Sequence, residues 1–313
     1  MKLTRIYFVL SIILYALLSS CSNQRADLSF DATVAKPTFT ENHQKVLFDE
    51  AHNNSSTTDG LYEPFANILR NDGYRVNVNN DVIKPTVLNN YDILIIVNAK
   101  GDKHKFDPAF TGNEKTTIYN WVYKGGSLLL IADHYPFGSA VADLSEKFGV
   151  TMNKGEVQDS LNYDTTSSDK AQLVFSDVNG LLTESSIKNG RNENERVHKV
   201  ITFTGQSLFV ADTNSIILKL SKTAKDIIPD STWDENSYIF FTTTYTRFSD
   251  PIPSRGNAQC VALKVGNGRV VIIGEAAVLT AQIVDDIKFG IDDKLNDNKK
   301  FALNIMHWLS KIL

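Results

Sequence analysis

The chain has 313 residues, 42% of them hydrophobic and 22% charged, with a net charge of -4 at pH 7. That is enough apolar material for one large domain or two small ones, and the mild acidity gives no electrostatic basis for nucleic acid as a partner. Two cysteines, Cys21 and Cys260, exclude a zinc site built on cysteine pairs, so stability has to come from the core.

Lys2 and Arg5 precede an apolar run over 6–18 that closes on Leu18-Ser19-Ser20-Cys21. The run is shorter than the roughly 20 residues of a membrane span and reads as an export signal. It resembles a bacterial lipoprotein signal. That resemblance implies cleavage before Cys21, acylation of Cys21, and a domain held outside the cytoplasm on a bacterial membrane, the outer membrane in particular. The other reading is an ordinary signal peptide with a chance cysteine. If Cys21 carries lipid, Cys260 is the remaining thiol and no internal disulfide can form. Residues 22–41 are polar and aperiodic. The expected division is therefore a signal over 1–20, a flexible tether over 21–42 and one domain over 43–313; docking of the tether through Phe30 or Phe39 stays open.

Beyond His43, strand-like and helix-like patterns alternate. Val46-Leu47-Phe48 is a short apolar strand. Leu61, Phe65, Ile68 and Leu69 share a helical face, with Asp59 placed to cap and Gly73 to stop. Residues 74–78 alternate like a strand, and 92–97 form an apolar run suited to a strand buried on both faces. A helix through Ile118, Trp121 and Val122 ends at Gly125-Gly126; a strand over 127–131 follows, then a helix through Val141, Leu144 and Phe148 that stops at Gly149. Between about 151 and 256, polar clusters separate short strands at 200–203, 216–220 and 238–243, an insertion rich in loops. A hairpin over 260–273 turns at Gly266-Asn267-Gly268, and a closing helix aligns Phe301, Ile305, Trp308, Leu309 and Ile312. The expected fold class is α/β, with a doubly wound, mostly parallel, flavodoxin-like sheet and that insertion.

In such a sheet, functional groups collect beyond the carboxyl ends of the strands. The strand ends here carry Asp49, Glu50 and His52, then Asn98, then Asp133, His134 and Tyr135, and finally Glu275. We take Glu50, His52, Asp133, His134 and Glu275 as candidate catalytic groups, because carboxylate–imidazole pairs serve acid/base work, and Asp49, Asn98 and Tyr135 as candidate ligand-binding groups. Whether metal binds stays open, since the spacing matches no fixed metal motif; no cofactor is expected. The helix starting near Ser139 is expected to lend the rim a partial positive charge that favours an anionic ligand. The bland alternative is a solvated rim whose polar groups cap helices.

The strings VLFDEAHNN, GLYEPFANILRNDGYRV, YDILIIVNA, WVYKGGSLLLIADH and GNGRVVIIGEAAV resemble the class I glutamine amidotransferase-like superfamily, in its branch of bacterial envelope proteins. The resemblance covers about 45–150 and 266–313 and implies an amidotransferase-like fold. Catalytic members carry a nucleophilic cysteine at a strand-to-helix turn. The matching turn here, Ala132-Asp133-His134, has none, and Cys260 falls on a predicted strand as a small buried hydrophobe.

Other signals carry less. Asp49-Glu50-Ala51-His52 spells a helicase box, but no G-x-x-x-x-G-K-[ST] loop accompanies it, and no G-x-S-x-G elbow is present. Asp292, Asp293, Asn296, Asp297 and Asn298 lack the pattern of a calcium loop and are expected to cap the last helix. Tyr135, Phe137, Tyr245 and Phe248 form either a sugar-stacking wall or core cover. Two functions remain. One is a lipoprotein, tied to the membrane at Cys21, that binds a small polar molecule or an envelope protein. The other is a hydrolase using carboxylate–histidine or metal-assisted activation of water.

Overall fold

The computed structural model describes residues 24–101, 108–228 and 249–313. The signal over 1–20, Cys21, the strand expected at 238–243, Tyr245 and Phe248 lie outside the described residues.

The first elements are β1 (Arg25–Ala26), β2 (Lys45–Asp49), α1 (Glu63–Asn71), β3 (Arg75–Asn79), α2 (Pro85–Leu88), β4 (Ile93–Val97), α3 (Gly112–Lys124), β5 (Ser127–Ile131) and α4 (Phe137–Glu146). The middle of the chain adds β6 (Val150–Met152), β7 (Glu156–Asp159), β8 (Val174–Ser176), α5 (Ser186–Asn189), β9 (Lys199–Ile201), β10 (Leu208–Val210), β11 (Ile216–Lys219), β12 (Ala224–Ile227) and β13 (Ile252–Pro253). The chain closes with β14 (Ala258–Val265), β15 (Gly268–Ile273), β16 (Ala281–Val284), β17 (Ile287–Gly290) and α6 (Asn298–Leu309).

The fold is mixed α/β, built on a nine-stranded mixed sheet ordered β3-β2-β4-β5-β15-β14-β10-β6, with β11 also against β14. From β3 to β15 every pairing is parallel; beyond β15 every pairing is antiparallel. The sheet is thus less parallel than the sequence predicts, because part of the expected insertion (β6, β10 and β11) joins it as strands. The rest forms two small sheets, β13-β12-β7 and β8-β9.

Strand alternation distributes the core. Phe48, Ile95, Leu129 and Val271 pack with Phe65 and Ile68 of α1 and Phe301 and Ile305 of α6. Their neighbours Leu47, Leu94, Leu128 and Val270 pack with Ile118 and Trp121 of α3 and Val141 and Leu144 of α4. Both faces of the central strands are therefore dry, which is why these strands read as unbroken apolar runs. Cys260 sits on β14, fully buried, with burial pushing its thiol pKa up.

The segment over 24–42 corrects the expectation of a flexible tether. β1 pairs with β16, Phe30 and Phe39 pack against the core, and Phe39 meets Tyr74 edge-on at 4.9 Å. Gly73, at φ 92°, permits the close approach: a Cβ there would stand 1.9 Å from the Phe39 carbonyl oxygen. Two local expectations also change. The N-cap of α1 is Tyr62 rather than Asp59, whose carboxylate accepts from Thr57. Asn298, at the start of α6, exchanges hydrogen bonds with Ile201 and so ties the helix to β9. Among the described residues no helix is long and apolar enough to cross a membrane.

Candidate functional site

The strands β5 and β15 are neighbours in the sheet, and β2 is not next to them. β4 lies between β2 and β5, so the rim divides into two polar clusters.

The first cluster, beyond β2, is closed. His52 is 8% exposed and donates from Nδ1 to Asp49 Oδ2 at 2.8 Å and from Nε2 to Glu114 Oε1 at 2.9 Å. Burial alone would lower the pKa of this imidazole, but the hydrogen bonds and charges of Asp49 and Glu114 outweigh it and raise the value. Asp49 also accepts from Asn79, and Glu114 from the amides of Ile83 and Thr111. Phe110 covers the ring at 4.2 Å between centroids. With both nitrogens held between carboxylates, the geometry makes His52, a candidate catalytic group in the sequence, a structural clamp. Glu50 is likewise engaged, accepting from the amide and hydroxyl of Thr58 at 2.7 and 2.8 Å. Glu114 escaped the sequence reading, although the capping box Thr111-Gly112-Asn113-Glu114 that starts α3 marks it as a residue facing backward.

The second cluster, beyond β4, β5 and β15, is open. Asn98, Asp133, His134 and Glu275 line a cavity of about 820 Å³, together with Tyr62, Phe137, Phe203 and Phe289. Asn98 holds a left-handed backbone (φ 44°), and its Oδ1 accepts the Asp133 amide at 2.9 Å, fixing the turn after β5. Asp133 Oδ1 accepts the His134 amide at 2.9 Å, and His134 Nδ1 donates to the Tyr135 carbonyl at 2.8 Å. In the neutral ring, Nε2 is then the acceptor. Tyr135 contributes that carbonyl and does not line the cavity.

Glu275 is fully buried. Its two oxygens accept the amides of Ala277 (2.6 Å) and Val278 (2.8 Å), anchoring the 3-10 turn Ala277–Leu279. A Cβ on Gly205 would lie 2.5 Å from Glu275 Cβ, so glycine is what lets that loop seal the carboxyl from behind. Burial, and then the charge of Asp133, raises the Glu275 pKa well above the usual range. Burial likewise pushes Asp133 up to about 6, against the opposing pull of His134. The Tyr62 hydroxyl donates to the Ala276 carbonyl at 2.6 Å beside this pair.

Gln206, also missed in the sequence, supports the turn from below. Its Nε2 donates to the carbonyls of Ala132 (2.9 Å) and Asp133 (3.0 Å). The first amides of α4, from Phe137 to Ala140, all donate to the carbonyls of Asp133, His134 or Pro136. The helix end therefore has no first-turn amide left for an anionic ligand, contrary to the sequence expectation. The lining carries five carboxyl side chains (Asp133, Asp164, Glu275, Asp285, Asp293) and one lysine, Lys288, which is itself paired with Asp27 and Asp292. Among the described residues, no three His, Cys, Asp or Glu side chains are grouped to hold one metal ion.

An uncharacterised protein of Aquifex aeolicus (strain VF5) is 25% identical over 192 residues, which is 60% of this chain and 67% of that protein. Among solved structures, the N-terminal domain of mmIFT52 superposes with a TM-score of 0.59 at 14% identity, covering 85% of this chain and 97% of that one. A ThuA-like protein of Parabacteroides merdae ATCC 43184 is more remote, with a TM-score of 0.42 at 9% identity over 86% of this chain and 90% of that one. Residues 36–311 match the family model of the OST48 N-terminal domain. This match replaces the resemblance to the class I glutamine amidotransferase-like superfamily. The strings behind that resemblance record buried strands and glycine turns, which any sheet covered on both faces requires. With 36–311 of its 313 residues inside the match, the chain belongs to the family of the OST48 N-terminal domain.

Proposed function

We propose that this protein is a lipid-anchored protein of the bacterial cell envelope, held through Cys21, that binds a small polar molecule in the cavity at the carboxyl ends of β4, β5 and β15. The parallel half of the sheet, with its strands in the order second, first, third, fourth, fifth, supports a doubly wound, flavodoxin-like ancestry, in which this rim is the usual place for a ligand.

The observation that carries the binding reading is the lining itself. Carboxyl groups and His134 supply hydrogen-bonding groups, while Phe203 and Phe289, in contact at 4.8 Å, supply apolar ring faces. Few placed polar groups among aromatic faces describe a ligand pocket. Five carboxyl groups against a single lysine that is already paired select against anions, and hydrogen-bonding groups set among ring faces suit an uncharged, hydroxyl-rich ligand. Binding is preferred to catalysis because Glu275 spends both oxygens on backbone amides and is not aimed as a base.

The test is a thermal-shift and calorimetric screen of the full chain in detergent, using neutral sugars and polyols beside phosphorylated ones. A neutral hydroxyl-rich compound is expected to bind, and His134→Ala to lose that binding while the unliganded protein keeps its Tm. Binding confined to the phosphorylated compounds would refute the reading. A second reading, acid/base hydrolysis, draws support from Asp133, whose pKa near 6 suits proton transfer near neutral pH. Turnover of aryl glycosides or esters that is lost in Asp133→Asn would favour it.

A further inference from the structure

We infer that the mouth of the cavity faces the bilayer that holds the lipid of Cys21, with the β16–β17 hairpin lying at the headgroup surface. This rests on the anchored-lipoprotein reading above and goes beyond it by giving the domain an orientation.

The direction of β1 carries the inference. Arg25 lies beside Ile283 and Ala26 beside Gln282, in antiparallel register. Continued by one residue, that register sets Gln24 beside Val284, and both line the cavity. Read toward its N-terminus, β1 thus points to the tip of the hairpin, Asp285-Asp286. Cys21 is three residues before Gln24. At no more than about 3.6 Å per residue, its Cα lies within about 11 Å of a residue on the cavity wall. A lipidated Cys21 cannot reach the far side of the domain, because β15 alone separates the two ends of the sheet by roughly 20 Å.

The surface at this end fits a bilayer. Ile287 and Leu295 both line the cavity and are 70% and 59% exposed, large apolar side chains left in water at the end of the domain to which β1 points. They would lie in the interfacial region, where apolar side chains gain by leaving water. The charges beside them are mixed: Asp285 and Asp286 at the tip, Arg25 paired with Asp286 at 3.6 Å, and Lys288 held by Asp27 and Asp292. Among the described residues no basic cluster stands at this tip to draw in anionic lipid, so the matching surface has zwitterionic or neutral headgroups.

The test uses the full-length acylated protein in phosphatidylcholine vesicles doped with headgroup-nitroxide lipid. A bimane label is placed at Ile287→Cys or, separately, at Asn267→Cys in the exposed turn at the opposite end of β15; Cys260 is buried and does not compete. Label at 287 is expected to be quenched severalfold more than label at 267, and Cys21→Ser to abolish quenching at both. Mass spectrometry of the same sample reads the N-terminus. An unacylated Cys21 defeats the anchor reading and the orientation with it. Acylated protein quenched equally at both sites, or more at 267, overturns the orientation alone. A label at 287 that is shielded but unquenched, in protein that runs as a dimer, assigns the surface to a second copy and overturns it too.

Discussion

Two stretches of one sheet rim carry the same kinds of residue and meet opposite fates. Beyond β2, His52 lies between Asp49 and Glu114, and Phe110 seals it. Beyond β5 and β15, Asp133 and Glu275 are held by backbone amides and stand close enough for the charge of Asp133 to act on Glu275. In the first cluster one imidazolium is shared by two carboxylates and water is excluded. In the second, two carboxyl groups are left to compete beside a cavity. Acids and histidines at strand ends therefore say little by themselves; what separates a clamp from a site is whether a partner of opposite charge is supplied.

The sharpest way to break this contrast is His52→Ala, which leaves two buried carboxylates without their cation. A loss of about 3–5 kcal/mol is expected in denaturant titrations at pH 6. Because the folded-state pKa of His52 is raised above 6.5, its contribution is full below the unfolded value and fades as pH rises through the folded one. The gap between wild type and variant should therefore narrow in alkaline buffer. A loss below 1 kcal/mol at pH 6 would show that the clamp is ornamental.

Glu275→Gln comes next, with a loss of about 1–3 kcal/mol, since the new amide group would face a backbone N–H where an oxygen now accepts. Unchanged stability there would mean that the turn Ala277–Leu279 does not depend on this carboxyl.

Asp133→Asn should do the reverse and stabilise the fold. Between 3.8 and about 6 the folded state holds a proton on Asp133 that the unfolded state has released, so wild type gains stability as pH falls through 6 and bears the full penalty above it. Removing the ionisable group should add about 1–2 kcal/mol at pH 7.5, discounted for partial exposure, and nothing by pH 3.5. Paired thermal melts at the two pH values check this, and equal differences at both would show that Asp133 ionises without the burial penalty. The smallest effect is expected from Cys260→Ala, about 1 kcal/mol, with no change in ligand binding.

The central strands and their helices were legible because burial on both faces imposes unbroken apolar runs, as in Ile93–Val97 and Ser127–Ile131, and because glycines stop the helices at Gly125 and Gly149. The docking of residues 24–42 was not legible, since Phe30 and Phe39 stand singly in a polar stretch and find their partners only across the chain. The site was half legible. Asn98, Asp133, His134 and Glu275 were named and do share a cavity, whereas His52 and Glu50 were named and are used elsewhere.

The sequence by itself determined where the apolar strands and helices lie, that no cysteine stands at the turn after β5, and which polar residues follow each strand. These depend on period, on glycine and on residue identity, all of which are local. Only the tertiary structure decided which of those polar residues are consumed. His52 meets Glu114 from 62 positions away, Gln206 reaches the Asp133 carbonyl from 73, and Tyr62 reaches Ala276 from 214. Such pairings are set by how the elements stack, and a hydrogen bond or charge pair between them leaves no trace in the spacing of either partner's neighbours.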